Sequence, residues 1–219
     1  MTSKSFFLDE ATQQYLVDST EPADEVLRDL ATETATALAD QFSMQIAAEQ
    51  GALLSLLTRA LGVTSAIEIG TFTGYSSICI ARGLPPGGRL LCLDVSTEWT
   101  DIARRYWHRA GLTELIELQV GPALESLQAL PSTPTFDLAF IDADKPGYPA
   151  YIQELYPRLR TNGLILLDNV LRDGGVLPGR DADEVDRGMR SLNGALVSDQ
   201  RFDTVMVPVA DGLTFLRKR

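Results

Sequence analysis

Phe136-Asp-Leu-Ala-Phe-Ile-Asp142-Ala-Asp144-Lys145 and, further on, Gly163-Leu-Ile-Leu-Leu-Asp168-Asn169 decide how this chain folds. Both are short apolar runs bounded by turn residues, the pattern of strands buried on both faces, and such strands belong to parallel sheets. Parallel strands bring their carboxyl ends to one edge, so Asp142, Asp168 and Asn169 are predicted to converge there. All three offer oxygen and none offers nitrogen or sulfur, which suits a hard divalent cation rather than zinc. Mg²⁺ is the first expectation, with Mn²⁺ or Ca²⁺ as alternatives, and three protein ligands leave positions for a substrate with two adjacent oxygens. The plainer alternative is that Asp168-Asn169 only starts a turn and caps the next segment.

Outward from these runs the pattern alternates. Strands are predicted over Ala66 to Gly70, Arg89 to Val95, Ile116 to Val120, Phe136 to Ala143 and Leu164 to Asn169. Helical stretches start near Tyr75, Thr97, Pro122 and Tyr148, with another over Ala182 to Leu196. This is a doubly wound α/β sheet. Phe202 to Val209 and Leu213 to Arg217 flank Ala210-Asp211-Gly212. An Asp-Gly pair between β-rich runs signals a hairpin, so the last strand is expected to run antiparallel. The first sixty residues read as helices, with helical spacing over Ala23 to Ala39 and Ala47 to Leu61 and a break over Phe42 to Ile46. The organisation expected is one domain, residues 1–62 capping an α/β core over 63–219.

The composition narrows the function. A net charge of −11 over 219 residues opposes contact with phosphate backbones, so no nucleic-acid partner is expected. No run approaches the ~18 to 20 apolar residues of a membrane span, and Asp9 and Glu10 follow Phe6-Phe7-Leu8 too closely for a secretory signal. A cytoplasmic protein without membrane contact is expected. Cys79 and Cys92 sit among apolar neighbours and read as core, while His108 lies in a charged helix and reads as solvated. Tyr106 and Trp107 read as packing residues, and Asp181-Ala-Asp-Glu184 as a solvated helix start.

Ile67-Glu-Ile-Gly70-Thr-Phe-Thr-Gly74-Tyr-Ser76 reads as a strand, a glycine-bearing turn and a helix start. Ligands bind doubly wound sheets at such a turn, where the helix amino terminus presents free N–H groups. Asp94, closing the next strand, is placed to accept hydrogen bonds from a ribose. Phe72 stands where the dinucleotide fingerprint needs a second glycine, which weakens a nicotinamide reading. Glu68 repels pyrophosphate but suits a cationic ligand such as the amino-acid end of S-adenosylmethionine. A generic turn without ligand is the alternative.

These residues, with Met44-Gln-Ile, Glu49-Gln-Gly51, Gly121-Pro-Ala123, Phe140-Ile-Asp-Ala-Asp-Lys145 and Leu167-Asp-Asn169, resemble the cation-dependent, S-adenosylmethionine-dependent O-methyltransferases. These are the caffeoyl-CoA and catechol O-methyltransferase relatives, and the likeness spans nearly the whole chain. It implies a Rossmann-like methyltransferase fold, a seven-stranded, mostly parallel sheet with an antiparallel last strand, preceded by helices. It implies that Glu68, Gly70, Thr71, Phe72 and Ser76 surround the methionine part of the cofactor, Asp94 its ribose and Ala123 its adenine, with Met44 near the sulfonium. Asp142, Asp168 and Asn169 would hold the metal, Asp142 bordering the cofactor too. Lys145 would be the catalytic base, and Met44, Asp144, Lys145 and Arg172 would face the acceptor, a small aromatic molecule with vicinal hydroxyls. A homodimer is implied as well. Where many relatives carry Leu-Trp, this chain has Leu171-Arg172, so an aromatic wall of the acceptor pocket is expected to be missing. The competing readings are an NAD(P)-dependent oxidoreductase and a Rossmann-like binding protein without catalysis. A second local alternative pairs Lys145 with Asp144 on a solvated loop.

Overall fold

The computed structural model describes residues 8–219, so Phe6-Phe7 lies outside the described residues. Seven strands form one sheet: β1 (Ser65–Ile69), β2 (Arg89–Asp94), β3 (Ile116–Val120), β4 (Phe136–Ile141), β5 (Leu159–Asp168), β6 (Phe202–Val207) and β7 (Leu213–Lys218). Their order is β3-β2-β1-β4-β5-β7-β6. The first five run parallel, and β7 lies antiparallel between β5 and β6. The antiparallel last strand expected from the Asp-Gly pair is therefore present.

Helices precede and interleave the strands: α1 (Glu10–Asp18), α2 (Glu25–Ala37), α3 (Ala48–Ala60), α4 (Tyr75–Gly83), α5 (Thr97–Arg109), α6 (Ala123–Ala129), α7 (Tyr148–Arg158) and α8 (Glu184–Ser198). Local signals set their starts. Asp24 accepts from the Leu27 N–H, Ser96 from Trp99, and Asp183 and Asp186 form a reciprocal capping box on α8. The Phe42 to Ile46 break is a 3₁₀ turn over Ala39–Met44 followed by extended chain.

The alternation of side chains along the strands divides the core in two. Ala66, Leu90, Leu138 and Phe140 face α2, α3, α4 and α5, packing with Leu30, Leu54, Ile78 and Trp107. Ile67, Leu93, Ile141 and Ile165 face α6, α7 and α8, packing with Leu127, Leu155 and Met189. Residues of α2 and α3 thus share one core with the sheet. Gly51 of α3 makes this contact close, since a Cβ there would stand 2.9 Å from both Cys79 Sγ and a Tyr75 ring carbon. Cys79 and Cys92 are buried and free, and His108 is exposed, as their neighbours predict.

Several boundaries shift by a residue or two, and two larger departures from the sequence reading stand out. β5 begins five residues before Leu164, because Leu159 pairs with Phe136 across an irregularity and carries exposed Arg160, Thr161 and Asn162 into the sheet. Apolar continuity cannot detect such a polar start. Helix α1 was not distinguished within the helical amino-terminal region: it has no buried residue and is tied to α3 by a Gln13–Glu49 hydrogen bond of 2.6 Å.

β1 and β4 are neighbours from which the chain winds outward in opposite directions. Beyond their carboxyl ends lies the crevice in which doubly wound sheets bind ligands.

Candidate functional site

The turn after β1 is held in an uncommon shape. Gly70 has φ 89°, and a Cβ there would come 2.0 Å from the Asp142 carbonyl oxygen, so a side chain is excluded. Phe72 adopts φ 51°, a left-handed conformation that few bulky residues take. What stabilises it is Asp94, whose Oδ2 accepts the Thr71 and Phe72 N–H groups at 2.9 and 2.8 Å, while Oδ1 accepts that of Ser96 at 2.8 Å. The Asp94 carboxylate therefore fixes the turn itself, a duty the ribose expectation did not include. Helix α4 follows without a capping side chain at Gly74.

Glu68 lies under this turn, with no exposed surface. Its Oε2 accepts a weak contact from Cys92 Sγ at 3.4 Å, and its Oε1 has no partner. Burial pushes its pKa up to about 8, with smaller opposing contributions from Ser76, Cys92 and Thr71. A buried acid with an unpartnered oxygen fits a cationic ligand above it.

On the β4 and β5 side, Ile141 pairs with Leu167, so the residues beyond them, Asp142 and Asp168, emerge side by side. Lys145 Nζ donates to Asp142 Oδ1 at 3.0 Å, to Asn169 Oδ1 at 2.7 Å and to the Tyr148 hydroxyl at 2.8 Å. Three acceptors match the three N–H donors of an ammonium. Asn169, at φ 52°, turns its amide toward Lys145 instead of capping a following helix. The loop pairing of Lys145 with Asp144 does not form: Asp144 accepts from the Tyr151 hydroxyl at 2.5 Å. Asp168 is 1% exposed and accepts the Asn169 N–H at 2.8 Å. Burial, followed by the charge of Asp142, holds its pKa well above the ordinary carboxylate range, with Lys145 opposing.

This donor set fits a divalent cation. Asp142 and Asn169 already direct oxygens at one positive charge, and Asp168 is a buried carboxylate whose ionised form a further cation would stabilise. Among the described residues no three His, Cys, Asp or Glu side chains could hold a metal by themselves, so a cation here would also require the Asn169 amide.

A cavity of about 760 Å³ connects the two halves. A family model described as O-methyltransferase matches residues 17–219. The chain belongs to the O-methyltransferase family. Caffeoyl-CoA O-methyltransferase 2 of Petunia hybrida is 34% identical over 231 residues, covering 98% of this chain and 93% of that protein. Catechol O-methyltransferase of Niastella koreensis is 34% identical over 200 residues, 90% of each chain. The crystal structure of a Bacillus cereus O-methyltransferase in complex with SAH superposes with a TM-score of 0.85 at 33% identity, covering 95% of this chain and 97% of that one.

Within this O-methyltransferase the sequence-selected residues Met44, Gly70, Thr71, Phe72, Ser76, Asp94, Ala123, Asp142, Asp144, Lys145, Asn169 and Arg172 all line the cavity. Glu68 and Asp168 do not; they lie beneath its wall. Arg172 borders the mouth with its guanidinium drawn toward α8, where Asp186 accepts at 3.3 Å. Sequence reasoning missed Trp99, Tyr148 and Tyr151. Trp99 lines the cavity and meets the Phe72 ring edge-on, 5.2 Å between centroids. The two tyrosines follow Lys145 by three and six residues, a spacing that a helix turns to one side and that could have flagged them.

Proposed function

We propose that this O-methyltransferase transfers the methyl group of S-adenosylmethionine to a hydroxyl of a small catechol-like acceptor held on a divalent cation. The observation that carries the reading is the meeting of Asp142 and Asn169 oxygens on one ammonium, in the same cavity as the Gly70–Gly74 turn. The SAH-bound relative and the catechol and caffeoyl-CoA relatives support the donor and the acceptor class.

Asp142, Asp168 and Asn169 would hold the cation, Mg²⁺ by donor type with Mn²⁺ or Ca²⁺ as substitutes. When bound there it supplies Lewis acidity that lowers the acceptor hydroxyl's pKa, and a template that orients it. The protein's own part is positional and protonic. The turn fixed by Asp94 seats the methyl donor, and Phe72, Trp99 and Met44 close apolar surface over it. Glu68, uncharged when alone at neutral pH, becomes a counter-ion to the donor's ammonium. Lys145 is the base: as a neutral amine Nζ keeps two of its N–H donors on its acceptors and turns its lone pair to the hydroxyl proton. Tyr148 orients it. Burial holds its phenol pKa well above the ordinary value, so the hydroxyl keeps its proton on the Ile141 and Asp168 carbonyl oxygens at 3.1 and 3.0 Å and accepts from Nζ at 2.8 Å.

Titration calorimetry of the whole chain with S-adenosylmethionine, with and without Mg²⁺, tests this alongside a catechol methylation assay. Binding of the donor and loss of turnover in excess chelator are expected. Full turnover with chelator removes the cation, and binding of NAD(P) in place of S-adenosylmethionine removes the reading altogether.

A further inference from the structure

Behind the strand tips lies a second, much smaller crevice of about 20 Å³. Its walls come from residues 43–47, the first turn of α3, the end of β5 and the corner before β7. Two glutamines face it, Gln45 at 8% exposure and Gln50 at 1%. Gln45 Oε1 and Gln50 Nε2 have no hydrogen-bond partner among the protein's atoms. A buried amide group left unsatisfied has lost its water without a replacement, so two on one crevice call for a shared partner. Asp168 and Asp211 complete the polar wall; the Gln50 amide stands close enough to the Asp168 carboxylate to lower its pKa, yet stops short of hydrogen-bonding geometry with it.

Size and chemistry select that partner. A buried water needs at least ~10–15 Å³ and two to four polar neighbours. The crevice has room for one such molecule and nothing larger. Gln50 Nε2 offers a donor, while Gln45 Oε1 and the carboxylate offer acceptors, which matches a water that accepts one hydrogen bond and donates two. We infer that a single buried water joins Gln45, Gln50 and Asp168, and that the two glutamines are positioning residues for this carboxylate. The segment before α3 and α3 itself are thereby coupled to the strand tip. Groups one step behind a metal ligand commonly set its orientation, and their loss weakens metal affinity by ~10–100-fold. That consequence for cation binding rests on the function proposed above; the water does not.

A high-resolution crystal structure of the intact chain is the direct test. One ordered water within hydrogen-bonding distance of Gln50 Nε2, Gln45 Oε1 and an Asp168 oxygen is expected. A dry crevice, or a direct Gln50–Asp168 bond that bypasses a water, overturns the inference. Gln50→Met removes the donor at similar volume and should weaken Mn²⁺ binding by ~10-fold or more, read by electron paramagnetic resonance, with S-adenosylmethionine affinity unchanged. Equal Mn²⁺ affinity overturns the positioning role. If the wild-type chain binds no Mn²⁺, the proposed function fails instead, and the crystallographic water still decides this inference. Should Gln50→Met not fold, the wild-type structure decides alone.

Discussion

Two aspartates mark the ends of β4, and they live in opposite circumstances. Asp137, at the start, accepts from the Thr64 and Ser65 N–H groups at 2.8 and 3.0 Å, from the Thr64 hydroxyl at 2.9 Å and from Arg160 at 2.5 Å. Burial raises its pKa, but these hydrogen bonds and the Arg160 charge outweigh it and leave the pKa below its ordinary value. Asp142, just past the other end, shares one lysine with Asn169 beside a buried Asp168. The amino edge of the sheet is satisfied and the carboxyl edge is short of positive charge. A satisfied carboxylate stabilises the fold, whereas a cluster held short of partners keeps its capacity to bind.

The contrast breaks most readily at Asp168. Asp168→Ala is expected to lower turnover by on the order of 10³-fold or more and to abolish rescue by added Mg²⁺ or Mn²⁺, because it removes both a ligand and the charge that retains the ion. Rescue at millimolar metal would place the cation elsewhere. Lys145→Ala should lower kcat by ~10²-fold or more while the acceptor KM moves little, as loss of a group acting in the transition state does. Unchanged kcat at saturating acceptor removes Lys145 as the base.

At the satisfied edge the expectation reverses. Asp137→Ala should cost about 1–3 kcal/mol of stability in denaturant unfolding, through the stranded N–H of buried Ser65, and leave kcat intact. A large kcat loss in a folded Asp137→Ala would erase the distinction between the edges.

The last expectation is protonic and is read as a slope. Glu68 has a folded pKa of about 8 against an ordinary value of 4.5, so the folded state holds a proton that the unfolded chain has lost. Its stabilisation is full below about pH 4.5 and disappears as pH climbs through about 8. The melting temperature of the ligand-free protein should therefore decline across that window. Glu68→Gln, which mimics the protonated acid, should flatten the decline, and an unaltered slope would falsify the assignment.

Much of this was legible along the chain because the strands are short, apolar and punctuated by turns. The hairpin came from Asp211-Gly212 and the turn from Gly70 and Gly74, and these three glycines have backbones in the left-handed region that glycine favours. The polar start of β5 was not legible, since its pairing with Phe136 depends on a distant strand. Nor was the Asp94 duty, which becomes visible only when the Thr71 and Phe72 amides are brought to its carboxylate. Tyr151 takes Asp144, the partner that local sequence offered to Lys145.

Sequence alone determined the order of strands and helices and the chemical types gathered at their ends, because periodicity and turn propensity act over a few residues at a time. Only the tertiary structure decided which carboxylates are satisfied and which are left wanting. That depends on donors tens of residues away, on burial that raises the cost of charge, and on how a single ammonium is divided among three acceptors.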